Sequence, residues 1–579
     1  MKKLRQQSPL SIGKINLPLI LFLGATLWFI FSFLIYPNLA ILQDSFTKDG
    51  ALSFRAFSKI AASKRAIKSI LNSFTLGVVL SFTVSIVGMF ILLVTEYFDI
   101  KGAKILRLGF MSTLVFSGMI LNSGYLYIYG KSGLLTKALQ AVFPQLSDSW
   151  FQGFPAVLFV MTFACTSNHM LFGRNAIRSL DYGMIEAAQN MGASQWTILK
   201  RVVFPTLTPT ILTLFVMAFQ IGVGAMSAPL MVGGRDFQTI APLILTLAKI
   251  PSSRDIAALL SLLLGLVQIL VLYVITKNEK KGHYLSLSKT KVSLKKQKIQ
   301  NPIANLIVHI LAYILFLIYT LPLILVILFS FMDSKAIATA KLSLSHFTIE
   351  HYGAILSNPS SYGPFLNSVL YSAISAFAVV IIMLVVVRYI MKNKGRFATI
   401  LEYLFYIPWL LPSLMIAMGL IIGYSTPKAW ILNTVLVGNH WLLGIAYFIV
   451  MIPTTMRYLK TAYYSFDQHL EEAGKVLGAK NWTILWKIIL PALLPTALAL
   501  FALNFNGKLA DYDLSAFLYH PTSPTLGIVI RANASATATV DATAINLVYS
   551  VILVAISTVV LYLVYGRGEK SAQRKSGLL

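Results

Sequence analysis

Few residues of this 579-residue chain could do chemistry, and they do not gather. Hydrolytic or metal-assisted catalysis needs a nucleophile with a base, or His, Cys and carboxylate ligands, at spacings a fold can close into one site. The chain has one cysteine, Cys165, inside an apolar run, which excludes a disulfide framework and a Cys-based zinc site. Asn168-His169 is a weaker candidate site, where a lone His is more often a structural hydrogen-bonder than a metal ligand. The string GYLYIYGKS at 124–132 approaches a phosphate-binding loop. Its first glycine comes one residue too early, and it ends an apolar run instead of joining a strand to a helix. The polar groups that remain interrupt apolar sequence: Gln220, Asn506, Lys508, Asp511 and Asp513. The densest recurring pattern is a pair of strings, EAAQNMGASQWTILKRVVFP at 186–205 and EAGKVLGAKNWTILWKIILP at 472–491.

The surrounding sequence limits what these groups can serve. Hydrophobic residues make up 57% and charged residues 12%, and mean hydropathy is +0.75, the composition of a chain that sits mostly in lipid. The formal charge of +28 crowds into short segments between apolar runs. There Lys and Arg set topology and meet anionic lipid headgroups, not nucleic acid. Apolar runs of about 20 residues, enough to cross a bilayer, fall near 17–42, 73–95, 105–129, 154–173, 205–231 and 256–276. A second set falls near 304–331, 367–391, 401–424, 441–457, 491–515 and 545–565. The pattern predicts an all-α membrane protein with twelve transmembrane helices in two six-helix halves, 1–276 and 301–579.

Between the halves, residues 277–300 carry eight lysines against one glutamate and read as a solvated cytoplasmic linker. The basic start (Lys2, Lys3, Arg5) and tail (Arg567, Lys570, Arg574, Lys575) fall on the same side, so both termini are expected in the cytoplasm. The first apolar run is too long for a signal peptide and reads as a span. One stretch opposes this topology. Lys48, Arg55, Lys59, Lys64, Arg65 and Lys68 should face outward, and are expected on an external surface helix.

The halves are a tandem duplication. Residues 186–210 and 472–496 share 12 of 25 positions at an offset of 286, including Trp-Thr-Ile-Leu and Pro-Thr. Asn72-Ser73 matches Asn367-Ser368. An even number of spans per half makes the repeats parallel, with a path expected on the axis between them. Each repeated string lies between the fourth and fifth spans of its half and reads as two short helices around a turn. Gly192 and Gly478 suit a left-handed junction, and Pro205 and Pro491 suit the start of a membrane helix. Such a rigid knob could fit a groove on a soluble partner.

These strings resemble the EAA loop of binding-protein-dependent ABC importer permeases. Glu186, Ala187, Ala188 and Gly192 match it in the first half, and Glu472, Ala473 and Gly478 in the second, where Gly474 replaces the second Ala. The resemblance implies a coupling helix in each half, docking two copies of an ABC ATP-binding subunit. That subunit would bind the ATP and Mg, leaving no cofactor and no enzymatic activity in this chain. It also implies an external substrate-binding protein, lipoprotein or periplasmic, and a place in the bacterial inner or plasma membrane. Two halves in one polypeptide look like the ferric-iron permeases and their thiamine and aminoethylphosphonate relatives. Ferric iron is therefore the expected cargo, with thiamine, phosphonate, sugar-phosphate or polyamine as alternatives.

Gln220 and Asn506 are equivalent at the 286 offset and are candidates for the translocation path, or for amide bonds between helices. Counting 1.5 Å per residue from Pro491 puts Asn506 about 22 Å and Asp511 about 30 Å along the fifth span. Lys508, Asp511 and Asp513 are thus expected near the outer mouth, as an outer gate or a binding-protein contact, or as a simple Lys508–Asp511 pair on one helix face. Asp511-Tyr512 resembles an Asp-aromatic pair of the family, for which the first half has Ala225-Met226. A twelve-span secondary transporter is the rival, but the loop EYFDIKGAKILR at 96–107 lacks the Gly/Asp/Arg-rich pattern expected of the major facilitators. A membrane-embedded enzyme has no clustered groups to support it.

Overall fold

The computed structural model describes residues 17–48, 51–114, 118–131, 133–282, 294–339, 343–393, 395–464, 466–467, 469–534 and 539–563. The basic start and tail and part of the linker lie outside them. The chain is helical, with one two-residue hairpin pairing Thr47–Lys48 with Ala51–Leu52. In the first half the elements are α1 (Ile20–Phe46), α2 (Lys64–Tyr97), α3 (Gly118–Tyr129), α4 (Phe154–Arg178), α5 (Gln195–Val223) and α6 (Pro251–Asn278). In the second they are α7 (Pro302–Ser330), α8 (Pro359–Lys392), α9 (Ser413–Tyr424), α10 (His440–Tyr464), α11 (Leu485–Leu509) and α12 (Val540–Val560).

Among the described residues ten of these are long and apolar enough to cross a membrane, or eleven counting one bent pair, against the twelve predicted. The shortfall lies in the third element of each half. The expected run 401–424 is two helices, Arg396–Trp409 and Ser413–Tyr424, bent by 101°. Pro408 and Pro412 stand at the bend, where each removes a backbone donor and crowds the preceding turn. The run 105–129 is likewise divided into Ala103–Met111 and α3.

The halves interlock. Helix α1 packs on α9 of the other half, where a Cβ on Gly419 would lie 2.9 Å from the Pro37 carbonyl. Helix α7 packs on α3, where a Cβ on Gly124 would touch Pro322 at 3.4 Å. Gly124 and Gly419, and Pro37 and Pro322, are repeat equivalents, so the same Gly-on-Pro approach is built twice. In consequence Ile30 and Phe33 join the core of the second half, and Tyr319 and Leu323 that of the first. Outward faces remain apolar, with Ile303, Leu317, Ile374 and Phe377 all exposed, as lipid contact requires.

Prolines also shape the long helices. Pro37, Pro205 and Pro491 each follow a π-helical turn, at Ile30–Ile35, Leu199–Val203 and Leu485–Ile489. A proline has no N–H to offer the carbonyl one turn earlier, and the ladder widens there. Pro205 therefore lies inside a helix that already runs from Gln195, rather than at its start. Lys64, Arg65 and Lys68, expected on a separate surface helix, open α2 itself; only Arg55–Ala62 is separate. Their end of the bundle is opposite the EAA strings. Lys59 pairs with Asp255 at 2.5 Å, and Arg65 donates to Gln238 at 2.7 Å. The linker is not wholly solvated: the last helix of the first half continues to Gly282, and Gln297 is buried.

Candidate functional site

The two EAA strings fold alike. In the first, a helix at Tyr182–Asn190 stops at Gly192, whose φ of +77° is one that other residues rarely adopt. The Gly192 N–H donates to the Gln189 carbonyl at 2.9 Å, and the Ala193 N–H to that of Ala188 at 3.0 Å. In the second, a helix at His469–Val476 stops at Gly478, φ +78°. There the Gly478 N–H donates to the Lys475 carbonyl at 2.9 Å and the Ala479 N–H to that of Gly474 at 3.0 Å. Glu186, Ala187, Glu472 and Ala473 are exposed, whereas Ala188 and Gly474 are buried.

The Ala-to-Gly departure has a local cause. A Cβ on Gly474 would lie 3.0 Å from Ile488 Cδ1 and 3.3 Å from Ile484. The first half has the smaller Val202 where the second has Ile488, which leaves room for the methyl of Ala188. Apolar side chains crown both turns: Met191 is 81% and its equivalent Leu477 85% exposed, too bare to be explained by the chain's own packing.

The loops are fastened differently. Glu471, on the second loop helix, is buried against Lys392, Arg388 at 3.7 Å and Lys475 at 3.6 Å. Burial alone would raise its carboxyl; Lys392, Arg388 and Lys475 together hold it below its ordinary value. The equivalent residue of the first loop is the buried Ile185. In that half the buried carboxylate is Glu96, at the end of α2, held by Arg178 at 2.9 Å, Arg174 at 3.1 Å and Arg107 at 3.4 Å.

A cavity of 550 Å³ lies between the halves, lined from the first by Asn122, Gln220 and Gln268 and from the second by Trp409, Thr454 and Asp513. Among the described residues, Asp513 is the one charged residue in its lining. Gln220 donates to Gln268, which donates to the Trp409 carbonyl at 3.4 Å, so an amide chain crosses between halves at the cavity wall. Asn506, its repeat equivalent, is not in the lining; it donates to the Ser557 carbonyl at 3.3 Å. Of the two equivalent amides, Gln220 lies in this lining and Asn506 bonds a neighbouring helix.

The carboxylates near the end of α11 are not on a helix face, because α11 stops at Leu509. Lys508 and Asp511 do pair, at 3.1 Å, but the second oxygen of Asp511 accepts the N–H groups of Leu514 and Ser515 at 3.1 and 3.3 Å. The pair closes the turn that sends Asp513 into the cavity. The expected position of Asp513 rests on helical rise counted from Pro491, whereas the helix ends at Leu509 and the following turn sets Asp513 in the cavity lining.

Residues 106–278 and 378–568 match the family described as binding-protein-dependent transport system inner membrane component. Over 535 residues the chain is 37% identical to the probable ABC transporter permease protein y4fN of Sinorhizobium fredii, covering 92% of this chain and 94% of that one. It is 22% identical over 503 residues to the ferric transport system permease protein FbpB of Actinobacillus pleuropneumoniae, covering 84% and 70%. Among solved structures, a bacterial ABC transporter involved in the import of the acidic polysaccharide alginate aligns with 47% of this chain and 96% of its own, at 19% identity and a TM-score of 0.37.

Proposed function

Since this chain belongs to the binding-protein-dependent transport system inner membrane components, the permeases of ABC importers, we propose that it carries both coupling sites of one transporter and passes a cation, ferric iron first, between its halves. One copy serves each transporter, because the duplication supplies two EAA loops. Each loop faces the cytoplasm, as do both termini, and receives one copy of a separate ATP-binding subunit that holds ATP and Mg. Glu186 and Glu472 offer exposed charge there, beside the bare Met191 and Leu477. The left-handed Gly192 and Gly478 fix the turn, and Ala187, Ala188 and Ala473 keep the helices slim enough to seat in a groove. An external binding protein delivers cargo at the opposite end of a bacterial inner membrane.

The observation that carries the cargo class is Asp513. A lone carboxylate in a low-dielectric cavity attracts cations and repels anions. Phosphonate and sugar-phosphate therefore suit this wall less well than ferric iron, for which the fused halves and a ferric relative also speak. Lys508 and Asp511 hold the turn that presents Asp513, and Gln220 offers an amide across from it. An organic cation, thiamine or a polyamine, is a second reading that the same carboxylate could serve, although Arg457 already lies over the Trp409 ring at 5.2 Å.

The test is uptake by the reconstituted transporter with its binding protein and ATP-binding subunit. Asp513→Asn is expected to lower ferric uptake about tenfold or more, with spermidine and thiamine competing only if the second reading holds. Uptake of aminoethylphosphonate, insensitive to Asp513→Asn, would contradict the cation assignment.

A further inference from the structure

The end of the linker is built into one loop, and among the described residues the other loop has no such segment against it. Residues 294–300 run parallel to the turn after α2: the Gln297 N–H donates to the Tyr97 carbonyl, and the Asp99 N–H to the Gln297 carbonyl, both at 2.9 Å. Lys296 Nζ donates to the Thr95 carbonyl at 3.0 Å. The same segment reaches the first loop at three points. Lys295 lies over the Tyr182 ring at 5.4 Å. Gln189 Nε2 donates to Gln297 Oε1 at 2.7 Å. Gln195 donates to the Lys298 carbonyl and accepts from the Gln300 N–H at 3.0 Å. Leu294 and Ile299 pack on the core of the first half.

We propose that residues 294–300 are a permanent strap that fixes the first coupling loop to the end of α2, with Gln297 as the positioning residue. Two backbone bonds anchor the strap to the body of the half, and side chains of the loop grip the strap. A push on the loop is then transmitted to α2 through hydrogen bonds, whereas the second loop transmits through the ions around Glu471. The inference rests on the reading of these loops as docking sites for ATP-binding subunits.

Gln189→Ala and Gln195→Ala remove the hydrogen-bonded part of the grip, at one exposed and one half-buried side chain. In the purified complex of full chain and ATP-binding subunit, the amount of bound subunit is expected to stay unchanged while cargo moved per ATP falls about threefold or more. In a Cys165→Ala background, a pair Gln195→Cys/Lys298→Cys at the more accessible contact between loop and strap, bridged by a bifunctional thiol reagent, is expected to keep transport. Unchanged cargo per ATP in the alanine variants would overturn the strap. So would loss of transport on bridging, since the strap would then have to release. Loss of bound subunit from the variants would also overturn it, because the glutamines would then serve docking. If the unaltered chain binds no ATP-binding subunit, the docking reading falls first and the strap with it.

Discussion

The two ends of the bundle treat the duplication differently. At the end away from the EAA loops, the halves are copies. Asn72 donates to the Gln238 carbonyl and Asn367 to that of Pro524, both at 3.0 Å; Ser73 accepts the Ile240 N–H and Ser368 the Leu526 N–H, both at 2.8 Å. At the EAA end the loop backbones still match, but their fastenings do not: Glu96 with three arginines and a linker strap on one side, Glu471 with three cations on the other. The turn that the proposed docking uses is kept twice. What holds that turn to its own half has been free to diverge, because any bond of adequate strength will serve.

The comparison can be broken most severely by giving one loop the other's fastening. Ile185→Glu puts a carboxylate at a buried apolar position, in a half whose clustered arginines are already engaged by Glu96, at a cost of about 3 kcal/mol or more. A drop in the thermal midpoint of the detergent-purified protein would register it.

Next is Glu471→Gln, which leaves Arg388, Lys392 and Lys475 facing one another. It should cost about 2 kcal/mol, less than a fully buried pair because both lysines are partly in water. The carboxyl is held below its ordinary 4.5, so its contribution is complete above that pH and is lost as pH falls through the lower, folded value. Thermal midpoints of the wild type and of Glu471→Gln should therefore converge in acid. Ser73→Ala and Ser368→Ala each strand a buried backbone N–H, for about 1–2 kcal/mol. Equal losses in thermal midpoint would confirm that the far end is symmetric, and unequal ones would deny it. The smallest effect is Gly474→Ala, about 1 kcal/mol from crowding Ile488. It should be relieved in the double variant with Ile488→Val, measured as a double-mutant cycle.

The symmetric end was legible in the sequence and the asymmetric end was not, for a physical reason. Asn-Ser pairs, EAA strings and their glycines act through side-chain type or backbone freedom at one position, so their recurrence carries the meaning. The strap acts largely through main-chain bonds, which any residue can make, and its lysines read only as positive-inside markers. The end of α11 is hard to read because apolar sequence resumes at 514–518, so the polar stretch around Asp511 and Asp513 looks like an interruption within a span rather than the end of a helix. The break before α9 was written in Pro408 and Pro412, yet a hydropathy window passes over both.

The central claim is that the two EAA loops are where an ATPase grips this permease. Its most direct test is to reverse both exposed charges, Glu186→Lys with Glu472→Lys, and to measure ATP hydrolysis and cargo uptake together in proteoliposomes that hold the ATP-binding subunit and the binding protein. The account predicts that hydrolysis continues while uptake is lost. Undiminished uptake by the doubly reversed protein would contradict it.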